Sequence, residues 1–375
     1  MKYYLLAGEP SGDLHGSNLI RGLQEADPEA QFRFWGGDLM AAAGGASQLA
    51  KHYRETSFFG IVQVIKNLRT IRRQLRECQA DVAAYAPDAL ILIDYPGFNM
   101  KMARWAKEQG IRTIYYIAPK VWAWREWRVK AIRRFVDLLL IIFPFEQDYF
   151  AGKGVPALFE GNPLEDAIEA RRATLPSPEA FRRQNGLDAR PIIALLAGSR
   201  RGEIRDNLPL MARLAARFPD YQFVVAGVHW LDRSLYEKYL AGSSIRYVCD
   251  QTYEVLTAAE AAIVTSGTAT LETALLGIPE VVVYRTLWFQ VKLRPYVLKV
   301  PWVSLVNLNL RRESVAEIIQ SDLDITQAER ELRAILPGGG KRDRMAADFA
   351  ELRRIIGGPG ASGRFAQRIV DYLKK

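Results

Sequence analysis

A chain of 375 residues exceeds the size at which a single hydrophobic core keeps growing, so two domains are expected. With 49% apolar and 25% charged residues it can bury a substantial core, which excludes a disordered chain. A net charge of +9 favours an anionic partner, while two cysteines and three scattered histidines give neither a disulfide scaffold nor zinc-ligand spacing.

The apolar run before Gly8 is too short for a signal peptide, so a reducing, cytoplasmic location is expected. Strand Tyr3 to Ala7 enters Gly8, Glu9, Pro10, Ser11, Gly12, Asp13, Leu14, His15 and Gly16, with a helix expected from about Ser17. Glycines admit a close ligand and a helix start offers N–H groups to an anion. A tight turn capped by Asp13 or Ser17 explains the same residues. Phe58 and Phe59 then introduce Ile61 to Arg76, an apolar stripe beside an acid-free face of Lys66, Arg69, Arg72, Arg73 and Arg76. That face suits an anionic bilayer or a lipid pocket; a core helix with a solvated basic side is the alternative. No apolar stretch approaches the roughly twenty residues of a membrane span, so any membrane association is expected to be peripheral.

Strand Ala89 to Ile93 ends at Asp94, with Asn99 shortly after. A carboxylate at the carboxyl end of a central strand sits where open α/β sheets bind ligands, which makes Asp94 the candidate general base, although a loop cap is also possible. Strands over Thr113 to Ile117 and Leu138 to Ile142 flank Trp122, Trp124 and Trp127 with Arg125, Arg128, Lys130, Arg133 and Arg134. No nucleic-acid module surrounds this cluster, so an acceptor site is the preferred use and nucleic acid is not expected. A glycine- and proline-rich linker places the domain boundary near Asn162.

The strand–helix alternation resumes at Ile192 to Ala197, Gln222 to Ala226, Ala261 to Thr265 and Glu280 to Tyr284, which defines a second α/β unit. The first of these strands runs into Gly198, Ser199, Arg200 and Arg201, with a helix expected near Asn207. Arginine in such a turn suits a diphosphate, surface arginines being the alternative. After the third strand, Ser266, Gly267 and Thr268 open a helix that carries Glu272 one turn on, placed to accept hydrogen bonds from ribose hydroxyls, a buried helix whose N-terminal acid complements its dipole being the alternative. Asp322, Leu323 and Asp324 form a D-x-D triplet, read as a solvated lead-in to a helix capped by Thr326 and Glu329. No metal or other cofactor is therefore expected, and helix N-termini with arginine are left to stabilise a departing diphosphate. The second unit is expected to end near Gly340. Helices over Met345 to Ile356 and Arg364 to Lys374 follow, with 341–375 expected to pack back on the first domain.

Taken together, AGEPSGDLHG, FFGIVQV, LIDYPGFN, YYIAPKVWAWREWRVKAI, LLAGSRRGEI and TSGTATLET resemble the lipid-A-disaccharide synthase family in order and spacing over most of the chain. The resemblance implies a GT-B fold, two Rossmann-like domains facing a central cleft, with the acceptor mainly on 1–162 and the nucleotide mainly on 163–340. It implies transfer of 2,3-diacylglucosamine from UDP-2,3-diacylglucosamine to 2,3-diacylglucosamine 1-phosphate, with inversion, at an anionic inner-membrane surface; a homodimer is possible. By motif, Asp94 looks like the family's base, Arg200 its diphosphate-side arginine, and Ser266, Gly267, Thr268 and Glu272 its nucleotide motif. Asn307 in VSLVN resembles a cleft asparagine. Ser11, Gly12, Asp13, His15, Asn99, Lys120 and Trp122 fall on the acceptor side. The chain departs from the pattern at Lys120, where a small polar residue is frequent, and at Pro10, where alanine is. A UDP-N-acetylglucosamine epimerase or another lipid-linked glycosyltransferase is the nearest rival, because both can use the same fold, and a catalytically silent nucleotide-sugar or lipid-binding protein is the alternative of a different class.

Overall fold

A computed structural model describes residues 1–55, 67–123, 126–285, 300–320 and 325–375. It divides into two compact units, Met1–Ala167 with Ile356–Lys375, and Ile168–Ile355. The division thus falls at 167/168 rather than 162, and the C-terminal segment does not travel as one block.

In the first unit the apolar runs become the parallel strands β1 (Lys2–Ala7), β2 (Gln31–Gly36), β3 (Leu49–His52), β4 (Ala89–Ile93), β5 (Arg112–Tyr116), β6 (Leu138–Ile141) and β7 (Leu158–Phe159). They lie in the order β3-β2-β1-β4-β5-β6-β7. The helices between them are α1 (Pro10–Ala26), α2 (Asp38–Gly44), α3 (Leu68–Tyr85), α4 (Pro96–Glu108), α5 (Val129–Phe135) and α6 (Pro144–Gly152), with α7 (Leu164–Arg172) beyond β7. β1 and β4 are buried along almost their whole length, as strands covered on both faces by crossover helices must be. The strand order reverses direction between β1 and β4, and that switch point sets the carboxyl ends of both strands side by side.

The second unit begins in α7 and adds α8 (Pro178–Gln184), β8 (Ile192–Leu196), α9 (Arg201–Ala215), β9 (Gln222–Gly227), α10 (Arg233–Leu240), β10 (Arg246–Cys249) and α11 (Thr252–Thr257). Then come β11 (Ala259–Thr265), α12 (Thr268–Leu275), β12 (Glu280–Arg285), α13 (Leu305–Leu310), β13 (Ala316–Gln320), α14 (Ile325–Ile335) and α15 (Arg342–Ile356). Its parallel sheet has the order β10-β9-β8-β11-β12-β13, with the switch point between β8 and β11. α15 belongs to this unit, where the Arg353 guanidinium donates to the Leu275 carbonyl at 2.9 Å.

The last helix, α16 (Ala361–Leu373), returns to the first unit, where it packs along α1. Its N-terminal amides are capped by Asp166, whose carboxylate accepts from Gly360, Ala361 and Ser362 at 2.5, 3.2 and 2.8 Å. A carboxylate there satisfies orphan donors and opposes the positive end of the helix. Thr326, expected at the cap, lies inside α14, and Glu329 pairs with Arg217 and Arg333 at 2.6 and 2.9 Å. Asp322 to Asp324 lie outside the described residues.

Candidate active site

Asp94 follows β4 at the first switch point, on backbone that side-chain-bearing residues rarely adopt. Asp94 and Tyr95 have φ of 43° and 47°, and Ile117, at the end of neighbouring β5, has φ of 64°. Three such residues on adjacent strand ends mark strain that the surrounding structure must hold. The Asp94 carbonyl is fixed twice, by the Tyr115 hydroxyl at 2.6 Å and the Asn99 amide at 2.8 Å, and that amide also reaches the Ile93 carbonyl at 3.1 Å. Asn99 is fully buried and therefore supports the Asp94 turn; the expected contact with an acceptor is corrected.

Burial raises the Asp94 pKa above the usual carboxylate range, and the Lys120 ammonium and the Tyr95 N–H partly offset it. A half-buried, partly desolvated carboxylate is a better proton acceptor than a solvated one. Lys120 is exposed and acts electrostatically on Asp94 and Glu146 alike. Glu146, buried, accepts from the Trp122 indole at 2.8 Å and from the Ile142 and Phe143 amides at 3.2 and 3.1 Å; burial pushes its pKa up to about 7. Trp122 is thus a buried wall with its N–H already committed, not an open acceptor platform. Trp124 and Arg125 lie outside the described residues.

The AGEPSGDLHG segment differs most from expectation. α1 starts at Pro10, not Ser17, so Ser11, Gly12, Asp13 and His15 lie inside its first two turns. The glycines serve packing: a Cβ on Gly8 would fall 2.4 Å from the Tyr95 ring, and one on Gly12 would fall 3.2 Å from the Ala7 Cβ. Gly8 therefore makes room for the residue beside Asp94. The Asp13 carboxylate is spent on the start of α2, accepting from Gly37, Leu39 and Met40 at 2.7, 3.1 and 3.0 Å. His15 is buried with Nδ1 unpartnered, and burial lowers its pKa to about 4, so its imidazole is neutral at pH 7. Ser11 alone of the four is exposed.

In the second unit, Gly198 to Arg201 and Ser266 to Thr268 occupy the carboxyl ends of β8 and β11, side by side at the switch point. α9 begins at Arg201 rather than Asn207, because Glu203 closes the turn. Its Oε2 accepts from the Ser199 and Arg200 amides at 2.9 and 3.2 Å, and its Oε1 meets the Arg200 guanidinium at 3.1 Å. Those two amides are therefore taken by a carboxylate of the chain. Gly198, at φ 112°, is needed because a Cβ there would lie 2.5 Å from the Glu203 Cβ. The Arg200 and Arg201 side chains remain exposed.

Gly267 and Thr268 are exposed at the start of α12, with open space above Gly267. Ser266 donates weakly to the Val303 carbonyl at 3.3 Å. Glu272, one turn into α12, is half-buried; it accepts from the Tyr253 hydroxyl at 2.8 Å, and burial raises its pKa. Asn307 is corrected: it is fully buried, donates to the Val315 carbonyl and Glu317 at 2.9 Å each, and accepts from the Ser314 and Val315 amides at 2.8 and 3.0 Å. These contacts tie α13 to β13 and to the two residues that lead into it. Among the described residues no group of three or more His, Cys, Asp or Glu is arranged to hold a metal ion.

Arg69, Arg72, Arg73 and Arg76 lie exposed on α3, which runs from Leu68 to Tyr85. Phe58, Phe59 and Lys66 lie outside the described residues. Among the described residues no helix is long and apolar enough to cross a membrane. Sequence reasoning missed Tyr115, Glu146 and Tyr253, whose contacts with Asp94, Trp122 and Glu272 join residues distant in the chain. Glu203 was legible, since it stands three residues after Arg200 at the spacing of a helix cap.

Two doubly wound parallel sheets, each with its own switch point, place the chain in the GT-B fold class. Solved structures agree on that fold. A UDP-GlcNAc 2-epimerase from Neisseria meningitidis, bound to UDP-GlcNAc, superposes with a TM-score of 0.66 at 12% identity over 100% of both chains. A calicheamicin glycosyltransferase gives 0.59 at 14% identity over 99% of this chain and 98% of its own. The model of the lipid-A-disaccharide synthetase family matches residues 3–356. Lipid-A-disaccharide synthases from Myxococcus xanthus and Geobacter sulfurreducens are 37% and 36% identical to the chain, covering 98% and 99% of it and 97% of each relative. The chain belongs to the lipid-A-disaccharide synthase family.

Proposed function

We propose that this glycosyltransferase moves 2,3-diacylglucosamine from its UDP derivative to the 6-hydroxyl of 2,3-diacylglucosamine 1-phosphate, inverting the anomeric centre. The observation that carries the chemistry is Asp94, a partly desolvated carboxylate on a strained turn that Tyr115 and Asn99 hold in place. As the acceptor O6 attacks the anomeric carbon, its proton passes to Asp94, the O6–C1 bond forms, and the C1–phosphate oxygen bond breaks with its electrons leaving on UDP. Exposed Arg200 and Arg201 and the start of α12 provide positive charge for the departing diphosphate, in place of a metal ion. Glu272 takes the ribose hydroxyls. The exposed arginines of α3 would rest against anionic lipid on the cytoplasmic face, where the acyl chains of both substrates are anchored. The family match over residues 3–356 favours this reading above an epimerase, whose likeness is one of fold.

The test is the product itself. Enzyme treated with EDTA and given both acylated sugars should form a β(1→6)-linked tetraacyl disaccharide 1-phosphate, its linkage read by proton NMR. An α linkage would exclude single displacement with Asp94 as base, and activity lost to chelation and restored by Mg²⁺ would exclude the metal-free reading.

A further inference from the structure

Glu272 reaches the carboxyl end of the second sheet with its two oxygens in different states. Oε1 is anchored by the Tyr253 hydroxyl at 2.8 Å, and Oε2 has no hydrogen-bond partner among the described residues. Tyr253 stands in the first turn of α11, on the crossover from β10 back to β11, whereas Glu272 is in the second turn of α12. A side chain from one crossover thus holds the carboxylate carried by the next.

A hydroxyl that donates to a carboxylate fixes its rotamer and favours its charged form. Both effects matter here, because burial raises the Glu272 pKa and the Tyr253 hydrogen bond counters it. Tyr253 itself keeps its proton, since burial and the adjoining carboxylate raise its pKa. It acts as a donor only, and Oε2, without a hydrogen-bond partner among the described residues, is the atom left to meet an incoming pair of hydroxyls.

We propose that Tyr253 is a positioning residue for nucleotide recognition, holding Glu272 so that its free oxygen accepts from the vicinal hydroxyls of a ribose and makes the site select ribo- over 2′-deoxyribonucleoside diphosphates. This rests on the nucleotide-sugar reading above. Without Tyr253 the carboxylate gains rotamer freedom and a weaker charge, so both affinity and sugar discrimination fall.

The experiment measures binding of UDP and of 2′-deoxy-UDP to the full chain by calorimetry, for wild type, Tyr253→Phe and Glu272→Gln, with melting temperatures alongside. Wild type should prefer UDP by roughly tenfold, the scale of one hydrogen bond to a charged group. Tyr253→Phe, which keeps the ring, should reduce the preference to about two- or threefold with KM for the UDP-sugar rising more than kcat falls, and Glu272→Gln should nearly abolish it. An unchanged UDP to 2′-deoxy-UDP ratio in a folded Tyr253→Phe overturns the role of Tyr253 and leaves the nucleotide reading standing. A wild type that binds UDP with no preference removes ribose recognition by Glu272, and with it the role of Tyr253. Failure of wild type to bind either nucleotide defeats the proposed function as well.

Discussion

Asp94 concentrates the account at the scale of a residue. Asp94→Asn keeps the shape of the turn and removes the proton acceptor, so turnover should drop by two or more orders of magnitude while UDP affinity holds. Activity near wild type in that variant would remove the base from Asp94. Tyr115→Phe tests the support instead: losing one hydrogen bond to the Asp94 carbonyl should cost about tenfold in kcat. Because burial raises the Asp94 pKa, the carboxylate is protonated at low pH and becomes a base as pH rises. The acidic limb of the rate profile should therefore lie above the ordinary carboxylate range, and Lys120→Gln should move it further up. Asp94 itself was legible in sequence, because an acid after an apolar run predicts the end of a central strand. Asn99 and Asn307 were misread for a physical reason: an asparagine in a motif looks alike whether its amide faces a ligand or its own backbone, and only burial separates the two.

The parallel sheets were legible in their buried strands, whose apolar runs stand out at the scale of an element. β2, β3, β10 and β13 escaped, since QFRFWG, LAKH, RYVC and AEIIQ mix polar with apolar residues and no run marks them. Helix starts were placed late at α1 and α9, where Pro10 and Arg200 begin a turn that the glycines seemed to interrupt. β12 holds an element-scale anomaly. Glu280 opens the strand fully buried, with neither carboxyl oxygen hydrogen-bonded among the described residues, against a cavity of about 260 Å³ lined also by Ser314, Glu331, Lys341 and Arg344. Burial and the charge of Glu317 raise its pKa well above normal. The folded state thus keeps a proton that the unfolded chain releases above about pH 4.3, and stability is lost as pH rises from there toward the folded value. Glu280→Met should raise the stability of the second unit by about 1–3 kcal/mol at pH 7, with a smaller gain at pH 4, read by thermal unfolding. An equal gain at both values would mean that Glu280 does not titrate on folding. For α3, replacing Arg69, Arg72, Arg73 and Arg76 with glutamine should weaken sedimentation with anionic vesicles, most at low salt. Unchanged sedimentation would leave those arginines as a solvated face.

Two units with the same strand logic share one chain at the scale of the whole molecule, and each carries its candidate site residues at its own switch point. The number of units was legible from length and alternation. Their bounds were not, because Pro337 to Gly340 looks like an end in sequence, yet the structure continues the second unit through α15 and returns only α16 to the first. Fold likeness alone extends equally to epimerases, which rearrange a nucleotide sugar and need no acceptor. Acceptor dependence is what separates the two chemistries. The most direct measurement follows UDP released from UDP-2,3-diacylglucosamine with and without 2,3-diacylglucosamine 1-phosphate, with products identified by mass spectrometry. UDP and tetraacyl disaccharide 1-phosphate should appear one for one, and only when the acceptor is present; an isomerised UDP-sugar, or UDP released at the same rate without acceptor, would contradict the assignment.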